Sequence, residues 1–125
     1  MFYAGSSTLE IIAQLLVANL FIGTGIINAV WRQAGIIPRM GQTVPYPKAC
    51  LYIGFVMQFA GGIMILIDWY AAYGAMLLIF FTLLAAVIFH RFWEMPDPYK
   101  YDTHRQFLFN NGAVIGALLL IIALN

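Results

Sequence analysis

Four long apolar runs, Leu9 to Val30, Ala49 to Ile67, Ala71 to Phe92 and Phe107 to Leu124, are separated by three more polar stretches, of which the first and third contain all five prolines. Each run is about 18 to 22 residues, which at 1.5 Å per residue crosses a hydrocarbon core of about 30 Å. A chain inside lipid must satisfy its own backbone hydrogen bonds, so runs of this length read as helices. A transmembrane barrel would need shorter segments of strict polar alternation, and the sequence has none. The pattern predicts an all-α fold: an integral membrane bundle of four transmembrane helices, forming a single domain over residues 1–125.

The punctuation agrees with that reading. Ser7-Thr8-Leu9-Glu10 is a capping box opening the first span. Asp68-Trp69-Tyr70 is a tight connection between the second and third spans. Two longer loops are expected at 31–48 and 93–106, marked by Pro38, Pro45, Pro47, Pro96 and Pro98. The first run has no basic stretch before it and exceeds the length of a signal-peptide core, so it reads as a span and not as a cleavable signal.

Composition strengthens the membrane assignment. Apolar and aromatic residues make up 63% of the chain and charged residues 9%, against roughly a quarter charged in a soluble domain. The net charge of +1 argues against a nucleic-acid partner, which needs clustered Lys and Arg. The placement of charge says more than its sum. All six Lys and Arg residues fall in or beside the first and third connections: Arg32, Arg39 and Lys48, then Arg91, Lys100 and Arg105. The positive-inside rule puts both connections in the cytoplasm and both termini outside it, in a multi-pass protein of the inner (plasma) membrane. Trp31, Trp69 and Trp93 fall at the expected interfaces, where amphipathic rings prefer to sit.

Polar residues within the spans are costly and mark contacts or sites. Thr24 and Asn28 share a face of the first span, with Gln14 close to it. Gln58 lies near the middle of the second span among Gly54, Gly61 and Gly62, and Thr82, Ala86 and His90 form a stripe on the third. The simplest reading of Gln14, Gln58 and the glycines is packing, since small residues admit close approach and amides bridge neighbouring helices. The pattern Gly112-x-x-x-Gly116 predicts that the fourth span packs through its glycine face. Asn28, His90 and Asn110 (with Asn111) are expected at one depth near the cytoplasmic ends of three spans, where they could form interhelical hydrogen bonds or a shared polar site.

His90 is the sharpest chemical candidate, since Glu94 one turn later could orient or charge its imidazole and Trp93 lies alongside. A metal would need further ligands from Asp97, Asp102 or His104, and none is expected. The lone Cys50 excludes an intramolecular dithiol relay and reads as packing. No phosphate-cradling glycine loop and no hydroxyl–His–carboxylate set is present. The scarcity of ionisable groups at mid-depth disfavours an ion or proton pathway.

These residues also carry a family resemblance. Phe89-His90-Arg91-Phe92-Trp93, followed by Phe107-Leu108-Phe109-Asn110 and Gly116-Ala117-Leu118-Leu119, resembles the DoxX-like pattern of F-H-x-F-W closing helix three and F-x-K-N opening a glycine-containing helix four. Gln58-Phe59-Ala60-Gly61-Gly62 is similar to the family's E-x-x-G-G, and Gly25-Ile26-Ile27-Asn28 to its G-x-x-K. The chain departs from the pattern where the family often has Lys, Glu and Lys: here stand Asn28, Gln58 and Phe109. The resemblance, over about residues 9–124, implies a four-helix membrane fold associated with redox chemistry, since the family takes its name from a small subunit of a quinol oxidase that also handles thiosulfate.

Two functions are therefore expected. The first is a non-catalytic accessory subunit of a larger respiratory or redox complex in the bilayer, holding a partner or a lipid. The second is a quinone-binding oxidoreductase component, in which His90 bonds a quinone carbonyl, Asn28 and Asn110 fix the head group, and Trp93 or Phe92 stacks on the ring.

Overall fold

The computed structural model describes residues 2–89 and 96–125. Helix α1 spans Thr8–Ile27, with Ser7 Oγ accepting from the Glu10 amide at 3.2 Å. A five-residue π-helical turn, Asn28–Arg32, joins it directly to α2, Gln33–Gly41. The remaining helices are α3, Pro47–Leu66; α4, Ala71–Phe89; and α5, Pro98–Leu124. The four resulting rods (α1 continuous with α2, then α3, α4 and α5) are all long and apolar enough to cross a membrane. The protein is an all-α integral membrane bundle of four transmembrane helices.

Two rods run beyond the expected spans. The first, placed at 9–30 by the apolar pattern, continues as Thr8–Gly41, about 50 Å at 1.5 Å per residue. Most of the loop expected at 31–48 is therefore helical. Ile36 and Met40, one turn apart, keep an apolar face turned inward, and α2 packs on α3 and α4. Tyr52 Oη donates to Gln33 Oε1 at 3.0 Å, tying α3 to the start of α2. The fourth rod, expected at 107–124, begins at Pro98. Asp97 accepts from the Tyr99 amide at 2.9 Å as its N-cap, and Pro98 sits in the first turn, where a missing N–H costs nothing.

α3 lies between α1 and α4, and α5 packs chiefly on α4 with a thinner contact to α1. The continuous core sits in the half of the bundle nearest the termini: Ala18 and Phe21 from α1, Ile65 from α3, Ala75 and Leu78 from α4, and Leu118 and Ile121 from α5. Small residues bring the backbones together there. A Cβ on Gly62 would stand 2.8 Å from Ile22 Cγ1, and one on Gly74 would stand 2.9 Å from Met64 Cβ. The glycines of α5 do not share this role. A Cβ on either Gly112 or Gly116 would meet nothing within 4 Å, so the expected packing through that face gives way to packing through Val114, Leu118 and Ile121.

The amides in the spans are interhelical ties. Gln14 Nε2 donates to Ile65 O at 2.9 Å and to Asp68 Oδ1 at 2.8 Å. Gln58 Nε2 donates to Phe21 O at 2.8 Å and to Thr24 Oγ1 at 3.0 Å. Thr82 donates back to Leu78 O and so adds no tie between helices.

Candidate functional site

Beyond Thr24 a cavity of about 660 Å³ opens between the helices, in the half of the bundle that carries the cations. This is within the roughly 300–1,000 Å³ range of small-molecule sites. Its first wall is a stripe on the long rod: Thr24, Asn28, Arg32 and Ile36, continued by Arg39 and Met40. The spacing of four holds these side chains to one side of a helix, and the π-helical turn falls between Asn28 and Arg32. Such turns recur at functional sites, where the extra residue re-aims the side chains that follow. From Thr24 to Arg39 the stripe extends roughly 20 Å along the axis, so the cavity is a slot rather than a sphere.

The opposite walls are mostly apolar. α3 contributes Leu51 and Gly54, with Cys50 near the mouth, where its thiol donates to Pro45 O at 3.3 Å. α4 contributes Phe81, Leu84, Ile88 and Phe89. The early start of α5 brings His104 and Phe107 to the same space, their rings edge to face at 5.8 Å.

Polar groups lie at the inner end and along the wall formed by the long rod. At the inner end, Gln58 is 3% exposed; its amide nitrogen is committed to Phe21 O and Thr24 Oγ1, and the Thr24 hydroxyl donates to Leu20 O at 2.6 Å. At the outer end the guanidinium of Arg39 lies over the Phe89 ring, 5.4 Å from its centroid, within electrostatic range of His104. Arg32 lies two helical turns deeper on the same wall. Among the described residues, no Asp or Glu lines the cavity. Nor do the described residues include a group of three His, Cys, Asp or Glu placed to hold a metal ion.

Of the candidates singled out from the sequence, Asn28 lines this cavity. Asn110 is exposed and is not among the lining residues. On α5 it stands about 120° round the helix from His104 at 100° per residue, whereas Asn111 shares the inward face. His90 and Trp93, with Phe92 and Glu94, lie outside the described residues. The expected meeting of Asn28 with Asn110 is therefore replaced by Asn28 with Arg32, Arg39 and His104. The signal for Arg32 was in the sequence: the stripe Thr24, Asn28, Arg32, Ile36 continues at intervals of four past the point where the apolar run was ended.

Comparison with known proteins gives a consistent placement. The family model described as DoxX matches residues 9–91, a stretch holding the first three rods and most of the cavity wall. The chain is also similar to the inner membrane protein YphA of Escherichia coli (strain K12), at 28% identity over 120 residues, covering 96% of this chain and 85% of that protein. No solved structure matches.

Proposed function

This chain belongs to the DoxX family, and on that premise we propose that it is a non-catalytic accessory subunit of a larger membrane redox assembly, holding an amphiphilic ligand in the slot between α2, α3, α4 and the start of α5. The observation that carries this reading is the slot itself: a cavity of about 660 Å³, apolar on the α3 and α4 walls and lined by Asn28, Arg32 and Arg39 on the long rod, in a bundle of 125 residues. Outward-facing apolar side chains such as Phe109, 76% exposed, offer surface to lipid and to partner helices alike. A quinone is the second reading. Asn28 could donate to a ring carbonyl, with Phe81 and Phe89 in the same walls to face the ring, and His90 and Trp93 as further head-group candidates.

Extraction from native membranes in a mild neutral detergent, followed by native mass spectrometry, tests both readings. The expected result is a particle well above the 14.0 kDa of the chain, carrying a bound amphiphile. A lone, ligand-free chain overturns the proposal, and a stoichiometric quinone selects the second reading.

We propose an orientation as well. Arg32, Arg39, Lys48, Lys100 and Arg105 all sit toward the end of the bundle where the slot opens, so the positive-inside rule places that end in the cytoplasm and both termini outside. The relative's description as an inner membrane protein supports the same membrane for this chain. A reporter active only outside the cytoplasm, fused after Asn125, should be active; a silent reporter beside an active cytoplasmic one reverses the assignment.

A further inference from the structure

Resting on the reading of the slot as a ligand site, we propose that its ligand is a single-chain amphiphile with an anionic head, bound by Arg32 and Arg39 with its tail running inward along Phe81, Leu84 and Ile88 toward Gln58. The charge pattern carries this inference. Two guanidinium groups project from one wall of a mostly apolar cavity, and no described carboxylate lines it. A guanidinium stays charged at any physiological pH and presents paired donors that match a carboxylate or a phosphate. Both arginines are exposed, so a head group can reach them while its tail lies against the apolar walls.

At the inner end, Gln58 and Thr24 have no donor left for an anionic head. The Gln58 amide nitrogen and the Thr24 hydroxyl already spend their donors within the bundle, on Phe21 O, Thr24 Oγ1 and Leu20 O. The head is thereby assigned to the outer half, between Arg32 and Arg39, and the tail to the apolar walls. The volume favours one chain: about 660 Å³ lies within the range of a drug-sized ligand, and the slot is long and narrow. Lys48 carries the same charge at the same end of the bundle but lies over the Tyr52 ring, 5.9 Å from its centroid, and does not line the slot. It therefore serves as a control for general surface charge.

The test uses the full chain in dodecyl maltoside with palmitate, hexadecyl phosphate and hexadecanol as probes, read by native mass spectrometry and competition titration. One or both anions should bind one per chain, at least about tenfold more tightly than hexadecanol. Arg32→Gln and Arg39→Gln should each weaken that binding about tenfold, Arg39→Lys less, and Lys48→Gln not measurably. Gly54→Leu should block the slot with melting unchanged, because a Cβ there meets only Phe81 Cε2, at an ordinary 3.5 Å. The relative strength of the two anions identifies a carboxylate or a phosphate head.

Equal binding of hexadecanol, an equal loss in Lys48→Gln, or undiminished binding in Gly54→Leu overturns the inference. Equal hexadecanol binding that Gly54→Leu abolishes leaves the slot as a ligand site and removes only its anion preference. Failure of all three probes removes the ligand-holding reading as well. Should Arg39→Gln fail to fold, Arg39→Lys and the comparison of palmitate with hexadecanol on the unaltered chain decide.

Discussion

Gly61→Leu should lower the thermal stability of the purified protein more than any other single glycine replacement in the bundle. A Cβ at this position would stand 2.6 Å from Leu78 Cγ, 2.8 Å from Leu78 Cδ2 and 3.0 Å from the Gly74 carbonyl oxygen. Leu78 is fully buried and cannot swing aside, and the third neighbour is backbone. The larger side chain must therefore push α3 and α4 apart along the most extensive helix contact in the molecule. Overpacking a filled interior costs about 1–3 kcal/mol, and leucine belongs at the upper end because the obstruction begins at its first carbon. Gly61→Ala should cost about 1 kcal/mol. Gly116→Leu, with open space where its Cβ would go, should stay within about 0.5 kcal/mol of the parent. Melting of the three variants in one detergent checks the order. Equal losses at Gly61 and Gly116 would mean that the fourth helix also packs through its glycines.

That contrast shows what the sequence could and could not tell. Gly112-x-x-x-Gly116 has the spacing that often marks a helix contact, while Gly61 and Gly74 lie on different spans and share no motif. Spacing identifies a face that permits close approach; it does not say whether a neighbour takes it, which depends on how non-local helices pair. Span number and the bridging roles of Gln14 and Gln58 were legible, because length against bilayer thickness and the cost of an unpaired amide in lipid are local constraints. The extent of the rods was less so. Pro38 is a breaker by sequence, yet the inward face of Ile36 and Met40 keeps the chain helical across it. Asp97-Pro98 is ambiguous by sequence: the pair suits a loop, and a capping Asp followed by proline is also how helices begin. The slot depends on both extensions, since Arg39 and His104 lie on helix beyond the apolar runs.

Asp68→Asn should destabilise the opposite end of the bundle by about 1–3 kcal/mol, although it changes a single oxygen to nitrogen. The Asp68 side chain is 3% exposed. One of its oxygens accepts from Gln14 Nε2 at 2.8 Å and the other from the backbone N–H of Tyr3 at 2.8 Å. Both partners are donors, so either orientation of an asparagine amide turns an N–H toward an N–H. The backbone is not the cause of the loss: Asp68 sits at φ 54°, in the left-handed region that asparagine tolerates as well as aspartate. Two further anchors hold the N-terminal segment in place: the Phe2 N–H donates to Asp68 O at 2.8 Å, and the Tyr3 hydroxyl directs its one proton to Leu66 O at 2.7 Å, with Ile65 O also within reach at 3.1 Å. Burial first, and the nearby Asp68 carboxylate second, raise the Tyr3 phenol above its usual 10.0. A phenol whose folded pKa lies above its unfolded one contributes stability that is complete below about pH 10 and is lost as pH rises through the folded value. The parent protein should therefore melt progressively lower above pH 10, and Tyr3→Phe should flatten that part of the profile. Melting of the two variants and the parent from neutral to alkaline pH measures both effects. An Asp68→Asn protein that melts with the parent at neutral pH would show that this N-terminal latch contributes nothing to holding the helices together.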